Sequence, residues 1–199
     1  MWEYILTGLG TLALAYITFH IGVLKPWRNR PKFSVNFENI EPYCRQADIE
    51  ASRDINGSVI KLAKSYWIRL RVTNSGKSVA VRCIGKLAKV MKHSGEELPQ
   101  YDPVALHWVG TDPNGVPLRP VDLNRGEYEY LDIIHTRNDI PDKAFICRDN
   151  VPRGIPSFLD PGEYILQITI YADNADPETQ KYRLFWNASN FLDIKLQAE

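Results

Sequence analysis

The chain opens on an apolar run and then changes period. Residues 4–24, YILTGLGTLALAYITFHIGVL, contain no Asp, Glu, Lys or Arg. As a helix they reach about 31 Å at 1.5 Å per residue, the thickness of a bilayer's hydrocarbon core. Beyond residue 32 apolar and polar positions alternate, the signature of half-buried strands. Phe33, Val35 and Phe37 alternate with polar residues, and in YWIRLRVTNSG the side chains of Tyr66, Ile68, Leu70 and Val72 face one way while Trp67, Arg69 and Arg71 face the other. SVAVRCIGKLAKVMK is expected to return as the antiparallel partner of that strand, with Gly85 at a bulge. Residues 40–64 are poorly periodic and read as a connection holding one short helix or hairpin. VALHW reads as a short strand, and 99–120 and 148–162, dense in Pro and Gly, as long surface loops. EYEYLDIIH, EYILQITIYA, KYRLFW and FLDIKL add further strands, and no soluble stretch has a strong helical period. The expected fold class is all-β, an antiparallel sandwich preceded by one N-terminal transmembrane helix. Residues 1–31 form the anchor with its basic flank and 32–199 the sandwich.

The flanks say how the apolar run is used. Lys25, Arg28, Arg30 and Lys32 follow it, whereas Glu3 alone precedes it; Trp2 and Trp27 sit where interfacial aromatic belts belong. A secretory signal would place its positive charge first and end in a small-residue cleavage site. The run is therefore expected to stay as a single-pass anchor in the cell membrane. Lys and Arg favour the cytoplasmic side, so the N-terminus should lie outside and the domain inside, with membrane lipid as a partner. Cys44, Cys83 and Cys147 are too few and odd in number for a closed disulfide framework, and suit a reducing compartment.

Along the helix, Gly8, Thr11, Ala15, Thr18 and Gly22 recur at spacings of 3, 4, 3 and 4. Small residues in such a seam let two membrane helices approach closely, which makes it the candidate for self-association into a homo-oligomer. His20 lies at headgroup depth.

Two segments carry a resemblance. LNRGEYEYLDI (123–133) and LDPGEYILQIT (159–169) align without gaps, each placing Leu, Gly, Glu and Tyr identically before a strand. Asp160-Pro-Gly162-Glu-Tyr164 resembles the tyrosine corner of immunoglobulin-like sandwiches, and VTNSGKSVAV looks like the strand–turn–strand of immunoglobulin-like adhesion modules of prokaryotic membrane proteins. The resemblance spans roughly residues 33–197 and departs from antibody domains at Leu166, where their second disulfide cysteine would stand. It implies a fold held by apolar packing and a binding role in general, with Asp160, Gly162 and Tyr164 as the fold corner.

Charge removes one class of partner. Lys plus Arg and Asp plus Glu both number 24, but residues 33–199 hold 20 basic and 23 acidic side chains. A mildly acidic domain lacks the basic surface that nucleic acid needs, so no nucleic acid is expected.

The search for catalytic chemistry returns little. NSGKS (74–78) has Arg71 where a phosphate-binding loop needs Gly, and β-branched residues follow it in place of a helix, so a hairpin turn is expected. Asp132 and His135 are three apart, which on a strand sends them to opposite faces and prevents joint chelation. No H-E-x-x-H, C-x-x-C or G-x-S-x-G pattern occurs, and no metal, cofactor or catalytic residue is assigned. Trp108 is assigned to the core. Arg119 and Arg125 in one loop region and Arg148 and Arg153 in the other are the candidates for gripping an anion bidentately. The leading expectation is a non-enzymatic interaction or assembly module with a protein partner. A ligand-sensing effector that oligomerises through its helix, and an enzyme with an unrecognised loop site, remain as alternatives.

Overall fold

The computed structural model of the chain describes residues 2–53, 56–101, 103–110, 120–149 and 156–199. The apolar run is helical as α1 (Trp2–Phe19), a π-helical turn (His20–Leu24) and α2 (Lys25–Asn29). Pro26 accounts for the π turn. It has no amide hydrogen, and its ring presses on the carbonyl four residues back, at Gly22. The wider turn relieves that contact, and the Lys25 amide donates to the His20 carbonyl five residues behind it. The stretch Gly8–Asn29 is long and apolar enough to cross a membrane and has none of its length buried.

Thirteen strands follow among the described residues: β1 (Phe33–Asn36), β2 (Cys44–Arg53), β3 (Val59–Asn74), β4 (Ala80–Lys92), β5 (Val104–Ala105), β6 (His107–Trp108), β7 (Val121–Leu123), β8 (Tyr128–Arg137), β9 (Ala144–Ile146), β10 (Phe158–Leu159), β11 (Gly162–Ala172), β12 (Ala175–Trp186) and β13 (Ile194–Ala198). They make two antiparallel sheets. The larger runs β1–β3–β8–β9–β10, with β2 also on β3 and β6 on β8; the smaller runs β13–β12–β11–β4–β5, with β7 on β4. Between them lies one core. Ile68, Leu70, Val72, Leu131 and Ile134 from the larger sheet meet Leu87, Val90, Leu166, Ile168, Ile170 and Leu184 from the smaller, all buried. This is the all-β sandwich behind one apolar helix that the alternation implies.

Several strands sit differently from expectation. β4 does not pair with β3; it pairs with β11 in the other sheet. The reason is that both edges of β3 are already taken, by β1 and β2 on one side and β8 on the other. The Asn74–Val79 segment is therefore a corner between sheets rather than a hairpin turn. Gly85 is not the bulge; the register of β4 against β11 slips between Lys89 and Leu87. A Cβ at Gly85 would run into the Leu131 side chain of the facing sheet, so this glycine serves close packing between sheets. Residues 40–64 contain a hairpin. Its outer part, Asp48–Arg53 against Val59–Lys64, projects beyond the pairing of β3 with β8, which begins at Ser65. On this two-stranded ribbon Leu62 and Val59 are 59% and 44% exposed. VALHW divides between the sheets, β5 joining β4 and β6 joining β8.

Candidate functional site

The fold corner is built as a local lock. Tyr164 is buried, and its hydroxyl donates to the Asp160 carbonyl at 2.9 Å. Gly162 lies under the ring, so a Cβ there would press on Tyr164 at 3.2–3.3 Å. The Asp160 carboxylate accepts from Lys143 at 2.6 Å and ties the corner to the segment before β9. Tyr164→Phe should lower the unfolding free energy by about 0.5–1.5 kcal/mol, the net worth of one hydrogen bond. An unchanged urea midpoint would show that the bond contributes nothing.

The end of the sandwich nearest the helix is tightly fastened. Asn74, fully buried, accepts from the Lys32 amide at 3.3 Å and the Gly76 amide at 3.0 Å, and donates to the Ser78 and Leu123 carbonyls. The Ser75 amide donates to the Lys32 carbonyl at 2.8 Å. A Cβ at Gly76 would collide with the Pro31 and Lys32 backbone. Arg30 pairs with Asp176 at 2.5 Å and lies over the Trp27 ring. The helix thus passes into β1 through a short connector gripped by two sequence-distant segments, the corner between β3 and β4 and Asp176 on β12.

The outer face of the larger sheet carries a polar cluster that strand alternation hid. Arg69 and Trp67 both point outward from β3, where their register partners on β8 are Asp132 and His135. Between those partners β8 holds one extra residue: Ile68 pairs with Ile134 and Arg69 with Asp132, leaving Ile133 as a bulge. Asp132 and His135 therefore share a face, contrary to the opposite-face expectation. His107, opposite Asp132 on β6, joins them. Arg69 and Asp132 form an ion pair at 3.2 Å with side chains 10% and 7% exposed. His107 and Asp149 lie 3.2 Å apart. His135 stacks between Trp67 (4.2 Å) and Phe145 (5.3 Å), and its Nδ1 is 3.4 Å from the Cys147 sulfur.

A thiol beside an imidazole invites a nucleophile reading, and electrostatics argues against it. Burial pushes the Cys147 thiol well above its ordinary pKa, with Asp132 adding to the rise. Burial also lowers His135 to about 4, helped by Arg137. The proton stays on sulfur and the imidazole stays neutral, the reverse of an activated thiolate–imidazolium pair. Asp132 is raised to about 6, burial outweighing the opposing pull of Arg69 and His107. The His135 ring is covered on both faces by Trp67 and Phe145, so it offers no free stacking platform. Among the described residues no group of three or more His, Cys, Asp or Glu could hold a metal ion. A shallow depression of about 680 Å³ beside the start of β11, Phe185 and Lys195 includes Asp193, which is already tied to Asn187 and Ser189 at 2.9 Å each.

Arg119 and Arg153 lie outside the described residues. Arg125 is exposed on the turn before β8, where the Gly126 amide donates to the Asn74 carbonyl. Arg148 follows Cys147 and bridges to Leu106, part-way along the sheet. Trp108 is buried and donates to the Cys83 carbonyl at 3.2 Å. The three cysteines are free and buried. Trp2 opens α1, while Lys25, Trp27 and Arg28 are exposed around the basic end of the helix and Lys32 is exposed at the connector. On the helix Gly8, Thr11, Ala15 and Thr18 lie within α1 and are exposed. Gly22 falls inside the π turn, which carries it out of the heptad register. No protein-family model and no curated protein matches this chain.

Proposed function

We propose that this is a single-pass membrane protein whose immunoglobulin-like sandwich acts as a non-enzymatic interaction module at the cytoplasmic face, assembling in part through its helix. The observation that carries this reading is the uncovered apolar helix joined to a fastened sandwich. Leu9, Leu12, Leu14 and Ile17 are half or more exposed, and nothing lies within 4 Å of a Cβ placed on Gly8, Gly10 or Gly22. That much bare apolar surface is satisfied by lipid and by other helices. The fastened connector then holds the sandwich in a fixed attitude to the bilayer, and the projecting ribbon of β2 and β3 offers exposed apolar side chains at Leu62 and Val59. The basic end of the helix supports the cytoplasmic orientation, and the Tyr164–Asp160 corner supports the immunoglobulin-like kinship.

Crosslinking of the full chain, in cells and in mild detergent, tests it. The expected result is a defined ladder of the protein with itself or one partner. Gly8→Leu should weaken the self-linked species, because a side chain there separates the backbones; Gly10→Leu, off the seam, should not. Gly22→Leu should act less than Gly8→Leu because of the π turn. A monomer in every condition, accompanied by turnover of a substrate, would replace this reading with an enzyme.

A further inference from the structure

Behind the basic end of the helix lies a cleft that neither sequence segment reveals alone. Its volume is about 360 Å³, and it is lined by His20, Ile21, Lys25, Arg28, Asn29 and Lys77. Five of these come from the helix. Lys77 comes from the corner between β3 and β4, and its place is built: Gly76 beside it fits against Pro31 and Lys32, and the buried Asn74 holds the corner from both sides. The Lys77 amide also faces the Arg30 carbonyl at 3.5 Å. Three cationic side chains therefore converge on one space. Among the described residues none of the three is ion-paired to a carboxylate, in contrast to Arg30, which Asp176 neutralises.

We infer that this cleft binds the phosphate of an anionic phospholipid headgroup. The inference rests on the proposal that the helix spans the membrane, since only then does the cleft sit in the headgroup layer. Lys25 is the first charged residue after the apolar run, and His20 and Ile21 belong to the end of that run, so the cleft straddles the level where hydrocarbon ends. Arg28 supplies a planar fork of donors and the two lysines supply compact charges, a combination suited to phosphate oxygens. Ile21 gives the cleft an apolar wall on the bilayer side, which suits the start of an acyl chain and has no use for free phosphate. The sandwich as a whole is slightly acidic, so this positive charge is local.

The test uses the full chain in nanodiscs of phosphatidylcholine, with and without phosphatidylglycerol, followed by native mass spectrometry of retained lipid. Phosphatidylglycerol should be kept in preference to phosphatidylcholine. Lys77→Ala should lower the retained phosphatidylglycerol about five-fold, the worth of one basic side chain at an anionic surface. Lys181→Ala, an exposed lysine on β12, should leave it unchanged. Equal loss in both variants, or none in Lys77→Ala, would reduce the basic flank to a plain orientation signal. Displacement of the lipid by inorganic phosphate in detergent would make the ligand free phosphate and overturn the lipid assignment. Alkaline carbonate extraction separates the two proposals. Release of the parent chain from membranes would sink the membrane reading, and retention with an unchanged lipid count in Lys77→Ala would sink the cleft alone.

Discussion

Arg69→Leu is expected to destabilise the sandwich by about 3–5 kcal/mol above neutral pH, the usual cost of orphaning one member of a buried ion pair. The carboxylate left behind, Asp132, has a side chain only 7% exposed and loses its guanidinium partner at 3.2 Å. Its pKa is already raised to about 6 with Arg69 present. Without the guanidinium it should rise further, so the variant should recover part of its stability on mild acidification by taking up a proton at Asp132. Arg69→Leu combined with Asp132→Leu should lie within about 1 kcal/mol of the parent, because two apolar side chains replace a pair whose desolvation nearly offsets its attraction. Urea titrations of the three proteins at two pH values measure this. Equal destabilisation of the single and double variants would mean that packing, and not the unpaired charge, dominates.

The alternation that reveals strands also explains what stayed hidden. Tyr66 to Val72 declare their faces correctly because β3 is regular there, and the core it enters follows from that. β8 is where alternation fails. The run Leu131, Asp132, Ile133, Ile134 reads the same with or without a bulge, yet the extra residue at Ile133 brings Asp132 and His135 to one face. Pairing partners are illegible for a related reason. Val81 and Cys83 read equally well against β3 or β11, and only the occupancy of both β3 edges, a property of the whole topology, sends β4 to the other sheet. The corner at Tyr164 is legible because its chemistry is contained in five consecutive residues. The basic flank is legible as a run, but its partner Lys77 is not, because β1, β2 and β3 intervene between it and Asn29 and only the fold joins them.

A pH experiment reads the same cluster from two sides. His135 is lowered from 6.5 to about 4, so the unfolded chain takes a proton that the native imidazole refuses. Its contribution is whole above about pH 6.5 and is lost as pH falls towards 4, by at most about 3 kcal/mol. Asp132 is raised from 3.8 to about 6, so the native chain keeps a proton that the unfolded carboxyl gives up. Its contribution has the opposite sign: whole below about pH 3.8 and lost as pH rises through 6. The two windows overlap between about 4 and 6, and the slopes oppose one another there. Single variants should therefore unmask them in opposite directions relative to the parent. His135→Gln should make the domain relatively more stable as pH is lowered through that window, and Asp132→Asn should make it relatively less stable. Both differences should be visible as shifts in urea midpoint measured every half unit of pH. Parallel curves for all three proteins would show that neither group changes its proton occupancy on folding, and would remove the cluster's burial as the source of its electrostatics.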